Sequence, residues 1–154
     1  MTGIGYDVHQ FAEGRPLVLG GVTIPHSHGL AGHSDADVLC HAIADAILGA
    51  MGEPDIGHFF PPGDPACKDI CSLRILEKCR DLAAAGGFSI VNVDSTLIAE
   101  APKVLPHRDP CGKTSVRPWG FRRSVWESRP RPTRPWVSLV GRKALLLWQL
   151  RKLI

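Results

Sequence analysis

The sequence predicts an α+β fold, a two-layer sandwich in which helices cover one face of a mixed sheet. Three observations lead there: a β-rich opening punctuated by Gly20-Gly21, two apolar patterns of helical period in the middle, and a strand-like stretch after the second of them. With 154 residues and 44% apolar content the chain can bury one proper core, and two independent domains would be cramped.

Residues 1–9 read as a short strand, and 16–19 with 22–24 as two more, joined at Gly20-Gly21, a favoured hairpin pair. Ser34 followed by Asp37 has capping-box character with Asp in place of the usual Glu. It introduces Val38, Leu39, Ala42, Ile43, Ala46 and Ile47 at helical spacing, so a helix is expected over 36–51. Its apolar positions share one half of the helix, which leaves Asp37, His41 and Asp45 on the other, open to chemistry. Residues 54–65 are rich in Pro, Gly and Asp and read as a loop of the kind that holds ligands. A second helix is expected over 72–85, with Leu73, Leu76, Cys79 and Leu82 inward and Gly86-Gly87 as its stop. Residues 88–99 return as a strand with Val91, Val93, Leu97 and Ala99 on one face. From His107 onward five prolines, beginning with Pro110, interrupt any helix, and only 144–154 reads as helical.

The net charge of +3 hides a break. Residues 1–106 hold 6 Lys and Arg against 13 Asp and Glu, net −7, whereas 107–154 hold 12 against 2, net +10, together with all four Trp. Five cysteines at irregular spacing fit neither a CxxC pair nor a disulfide framework, so reduced structural thiols are expected. No apolar run is long enough to span a bilayer and the first residues lack a signal-peptide pattern, which predicts a cytoplasmic protein with no membrane partner.

Asp7 and His9 are two apart on a predicted strand and emerge on one face, where they can share an ion. His41, from the polar side of the first helix, would complete two imidazoles and a carboxylate, a set that leaves a fourth zinc position open. Asp-x-His alone is a weak signal, and surface or capping roles compete with it. His33-Ser34 lies just before the helix, where free N–H groups and the positive dipole end favour a phosphate; an N-capping Ser34 beside a solvated His33 is the equal alternative. Asp37 and Asp45 sit one turn either side of His41, so either could hold its second nitrogen or simply face solvent. Asp55, Gly57, Phe60 and Asp64 offer carboxylates and turns suited to sugar hydroxyls, with turn formation as the competing reading.

Taken together, Gly5-Tyr6-Asp7-Val8-His9, Leu19-Gly20-Gly21-Val22, His33-Ser34-Asp35-Ala36-Asp37-Val38, His41-Ala42, Asp55-Ile56-Gly57, Phe60-Pro61 and Ala101-Pro102-Lys103 resemble the 2-C-methyl-D-erythritol 2,4-cyclodiphosphate synthase family. The resemblance runs in order through about two thirds of the chain. It implies a homotrimer, active sites between subunits, and closure of a cyclic diphosphate from a cytidine diphosphate substrate with CMP leaving, in the non-mevalonate isoprenoid pathway. It also implies zinc at Asp7, His9 and His41; His33 as the catalytic group that steadies transition-state charge; Ser34, Asp55 and Gly57 on the methylerythritol part, bordered by Phe60 to Asp64; and Ala99, Ala101, Pro102, Lys103, Val104 and Leu105 around cytosine. Pro62 stands where the family often has Asp.

The resemblance divides the chain into a synthase-like domain, 1–109, and a divergent basic tail, 110–154. The Thr and Glu with which the family holds the diphosphate and a magnesium ion are missing from that tail. Yet Leu-Gly-Phe-Val-Gly-Arg-Lys-Glu-Gly-Ile-Ala-Ala, written in allowed codons and read one base late, yields residues 136–146 as they stand, and similar family text yields 128–135 and 110–115. A single-base frameshift after Asp109 accounts for the charge jump, the Trp and the Pro in one event, and implies a tail that packs poorly. Two other readings stay open: an inactive, metal-binding relative, and a nucleic-acid binder using the Arg- and Trp-rich tail.

Overall fold

The computed structural model describes residues 1–99 and 101–115, and the backbone of 143–149. Burial alternates along the first strand, β1 (Tyr6–Glu13): Asp7, His9 and Phe11 are half-buried, Tyr6, Val8 and Gln10 exposed. The strand starts at Tyr6 rather than Met1 because the residues before it lie on the first helix, α1 (Val38–Met51). A Cβ on Gly5 would sit 1.9 Å from the Ala42 carbonyl oxygen, so only glycine permits that approach. β2 (Leu17–Leu19) and β3 (Val22–Ile24) form the expected hairpin, with Gly20 and Gly21 both at the positive φ that a two-residue turn requires. β4 (His28–Leu30), too short to show a period, pairs with the far end of β1 and was not foreseeable from pattern.

Asp37, not Ser34, caps α1. Its Oδ1 accepts from the Cys40 N–H at 3.1 Å and the Gly20 N–H at 2.9 Å, and its Oδ2 accepts from the Gly21 N–H at 2.6 Å. The side chain is fully buried and ties hairpin to helix, so it is not part of a free polar stripe. Burial pushes its carboxyl up, and the three N–H donors pull the other way. Asp37→Ala leaves three N–H groups without this partner and should cost about 3–5 kcal/mol in denaturant unfolding.

The 54–65 stretch contains a single turn, α2 (Ile56–Phe59), capped by Asp55, and a 3-10 turn, Pro65–Cys67, capped by Asp64. α3 (Ser72–Ala85) matches its expected bounds and ends at Gly86-Gly87. It buries Ile75, Leu76, Cys79 and Ala83, with Leu73 and Leu82 partly covered, and packs on α1. β5 (Asp94–Ile98) is shorter than expected; Val91 precedes it and is exposed, and the buried positions are Val93, Ser95 and Leu97. α4 (Arg108–Ser115) forms where helix was excluded, because Pro110 falls in its first turn, where the missing N–H has no helical partner to lose.

The expected helix over 144–154 is overturned for its described part. β6 (Lys143–Gln149) is a strand, inserted between β1 and β5 in the order β4-β1-β6-β5. A short apolar run fits either structure by period, and here two strand edges offer it ladders on both sides. The tail therefore contributes a central strand at 143–149; the expectation of poor packing for 116–142 and 150–154 lies outside the described residues. Every pairing among the described strands is antiparallel, so the mixed sheet is corrected to an antiparallel one over that range. α1 covers one face of it, against β1, β5 and β6, which is the predicted two-layer plan. No helix among the described residues is long and apolar enough to cross a membrane.

All five cysteines are free, and four are buried. Burial pushes the Cys79 and Cys111 thiols up to about 12, so neither offers thiolate near neutrality. Only Cys71 is exposed, and a colorimetric thiol titration of the native chain should show one fast group, removed by Cys71→Ser.

Candidate metal centre

Asp7, His9 and His41 converge. Asp7 Oδ2 lies 2.9 Å from His9 Nε2 and 3.0 Å from His41 Nδ1, and the two nitrogens are 3.3 Å apart. Strand period places the first two side by side, and helix α1, packed on β1, delivers the third from above. Among the described residues this is the one group of three such side chains whose ligand atoms gather within 4.8 Å.

The outer nitrogens decide what the inner ones can do. His9 Nδ1 bonds the Ala31 carbonyl, which can only accept, so that nitrogen carries the proton and Nε2 is bare in the neutral ring. His41 Nε2 faces Ser34 Oγ at 3.1 Å and Ser72 Oγ at 2.9 Å, leaving Nδ1 toward Asp7. With His41 Nδ1 bare as well, three lone pairs would meet with no proton between them, and an added proton or a cation would hold them together. Two imidazoles and a carboxylate suit a borderline divalent ion with an open coordination position, so the residues fit a metal. Burial raises the Asp7 carboxyl, but hydrogen bonds and charge from His41 and His9 outweigh it and hold the group well below the usual carboxylate range. For His9, burial lowers the imidazole and the Asp7 carboxylate more than compensates, a net rise.

Beside the centre opens a cleft of about 640 Å³. His9, His41, His33, Ser34, Gly57 and Phe60 line it, bringing four of the expected substrate residues beside two members of the candidate metal cluster. Pro62 lines it too, at the position where an acidic residue was expected from the resemblance. Asp55 and Asp64 are exposed caps: Asp55 Oδ1 accepts from the His58 N–H at 3.3 Å and Asp64 Oδ1 from the Ala66 N–H at 2.9 Å. Ala99 and residues 101–105 do not line this cleft within one chain; Val104 is buried in the core.

Two expectations need correction. The first turn of α1 is not the free anion site anticipated from His33-Ser34, because the buried Asp37 carboxylate already accepts there. Neither Asp37 nor Asp45 holds His41; Asp45 Oδ1 accepts from the Ile56 N–H at 2.9 Å and so anchors α2. The polar partners of His41 Nε2 are Ser34 and Ser72, and Ser72 was read only as the start of a helix. Arg15 was missed as well. Its guanidinium donates to the Gly32 carbonyl at 2.8 Å and the Ser34 carbonyl at 2.5 Å, clamping the backbone on both sides of His33. No local pattern in the sequence could have linked residues 17 and 19 positions apart.

Fold and site together define an α+β protein with a three-donor cluster that could hold a divalent ion beside a largely apolar cleft. A family model described as the YgbB family matches residues 1–116, and the chain belongs to that family. A 2-C-methyl-D-erythritol 2,4-cyclodiphosphate synthase of Akkermansia muciniphila is 68% identical over 108 residues, 70% of this chain and 64% of that protein. One of Desulfatibacillum aliphaticivorans is 60% identical over 107 residues, covering 70% of this chain and 69% of its own length. The chain thus spans just under two thirds of the Akkermansia relative. A solved 2C-methyl-D-erythritol-2,4-cyclodiphosphate synthase in a CDP-bound form superposes with a TM-score of 0.88 at 30% identity, covering 98% of this chain and 99% of that one.

Proposed function

We propose that the chain is a cyclodiphosphate synthase, converting 4-diphosphocytidyl-2-C-methyl-D-erythritol 2-phosphate to the cyclic diphosphate and CMP. The convergence of Asp7, His9 and His41 beside a cleft lined by His33 and Ser34 carries this reading. The names of the relatives and the CDP-bound neighbour support it. An oxygen of the 2-phosphate attacks the β-phosphorus, the bond from that phosphorus to the bridging oxygen breaks, and CMP departs with the bridging oxygen on its phosphate. Asp7 Oδ2, His9 Nε2 and His41 Nδ1 would hold a divalent ion, zinc by the chemistry of the donors, which would supply Lewis-acid polarisation of a phosphoryl oxygen. His33, exposed at the cleft and held by the Arg15 clamp, steadies charge on the transferring phosphoryl group. Ser34, Gly57 and Phe60 shape the cleft around the sugar, and catalysis is positioning plus charge neutralisation.

Asp55 and Asp64 contribute to the sugar end, and Ala99 with 101–105 takes the cytosine of a substrate bound at a neighbouring copy's centre, in a homotrimer. That Ala99 and 101–105 do not line the cleft within one chain accords with a site completed between subunits. The reaction class is a phosphorus-oxygen lyase, acting in the cytoplasm. For the tail, a frameshift after Asp109 is supported by the charge break and by relatives that match over 107–108 residues. Restoring one base in the coding DNA at that codon should recover the family's Thr- and Glu-bearing strand, and failure to do so ends the frameshift account.

Incubating the purified chain with the cytidine diphosphate substrate should release CMP with the cyclic diphosphate as coproduct, and a chelator should abolish both. Zinc binding without CMP release would instead support an inactive relative whose magnesium and diphosphate contacts are missing.

A further inference from the structure

The hydrogen bonds behind His41 extend one residue further than a metal centre requires. Ser72 Oγ donates to Asp35 Oδ1 at 2.5 Å, and the Ser72 N–H donates to Asp35 Oδ2 at 3.0 Å. Ser72 is fully buried and His41 nearly so. A carboxylate only accepts and a hydroxyl has one proton. Once that proton points at Asp35, Ser72 Oγ has only lone pairs to offer His41 Nε2, 2.9 Å away. Nε2 must then carry the ring proton. Ser34 Oγ, which already accepts from the Ala36 N–H at 3.0 Å, could serve His41 as donor or acceptor and so does not choose the tautomer by itself.

We propose that Asp35 is a positioning residue for the metal centre, acting through Ser72 to fix His41 in the tautomer that leaves Nδ1 bare beside Asp7 and His9. The inference rests on the metal reading above and deepens it. The polarity of the relay runs in one direction: Asp35 orients the Ser72 hydroxyl, the hydroxyl orients the imidazole, and the imidazole presents its lone pair. Asp35 also bonds the first N–H of α3, whose own cap position, Cys71, supplies no side-chain bond. One carboxylate therefore fixes both where α3 begins and what its first hydroxyl does. Asp35→Asn can offer an amide N–H to Ser72 and reverse the hydroxyl, which would turn its proton toward Nε2 and place the ring proton on Nδ1, against the ion. Ser72→Ala removes the relay and keeps the Asp35 contact to the α3 backbone.

The test is zinc affinity of the full chain by competition with a chromogenic chelator, alongside thermal melts. Each single variant should weaken zinc binding by about 10–100-fold, the usual effect of removing a partner behind a metal-bound His. The double variant should be no weaker than the worse single one, since both act along one path. Unchanged zinc affinity with a lowered Tm would make the pair purely structural and overturn the proposal, as would losses that multiply. Should a variant fail to fold, nitrogen chemical shifts of His41 in the metal-free wild-type chain, at a pH where the ring is neutral, decide the matter: a protonated Nε2 is expected, and a protonated Nδ1 overturns it. Absence of zinc binding by the wild-type chain would overturn the metal reading separately, with the tautomer still measurable.

Discussion

His41→Ala should abolish tight zinc binding and lower kcat/KM for CMP release by at least ~10³-fold, about 4 kcal/mol of transition-state stabilisation. His41 supplies a ligand atom 3.0 Å from Asp7 Oδ2 and is the only one of the three delivered by a helix. Without it Asp7 and His9 remain a two-donor pair on one strand, too few for a tetrahedral site with one open position. Metal affinity of the intact chain should also weaken in acid. Asp7 is held down by His41 and His9 together, the His9 imidazole is raised chiefly by Asp7, and a proton on His9 satisfies Asp7 as an ion would. Because the His9 imidazole is raised, its proton competes with the metal to a higher pH than that of an unperturbed histidine, and affinity should climb as pH rises through that titration. A flat zinc affinity across mildly acidic to mildly alkaline pH, or wild-type activity in His41→Ala, would refute the assignment.

The closeness of Asp7 and His9 was legible because period two in a strand is rigid: the two must share a face wherever β1 goes. His41 was legible as a polar position on an otherwise apolar helix. What could not be read was which polar residues of that helix meet solvent. Asp37 looks identical to His41 in pattern, yet it is buried beneath the Gly20-Gly21 turn, a contact set by tertiary packing between residues 16 and 17 apart. Asp35 and Ser72, 37 apart, meet only because α3 packs beside α1, so neither local spacing nor residue type announces them. Short elements failed for a different reason. β4 has three residues and α2 four, below one period of confirmation, and Asp55 and Asp64 read equally well as caps or as ligands. The helix expected from residue 144 failed over 144–149 because an apolar run between charged ends carries no period at all, and the decision passes to whatever edge it meets.

That edge makes β6 the most consequential element of the tail. Ending the chain after residue 142 should abolish cooperative unfolding and, with it, zinc binding. β6 pairs with five residues of β1, Tyr6 to Gln10, and with five of β5, Asp94 to Ile98. The β1 stretch it holds includes both strand ligands, Asp7 opposite Leu146 and His9 opposite Ala144; the remaining partner, β4, reaches only Phe11 to Glu13. At about 1 kcal/mol net per backbone hydrogen bond, losing ladders on both sides removes roughly 5–10 kcal/mol, comparable with the whole stability of a domain this size. A gentler variant, Leu146→Pro, removes one donor and strains the middle of a strand paired on both sides, and should lower Tm while shifting zinc affinity in the same direction. The outcome also separates the tail's composition from its role. A frameshift can supply an apolar run by accident, and a sheet with two edges waiting will take one that fits. If the shortened chain melts at the same temperature and binds zinc as tightly, β6 contributes nothing to the fold and the synthase-like region stands without its central strand.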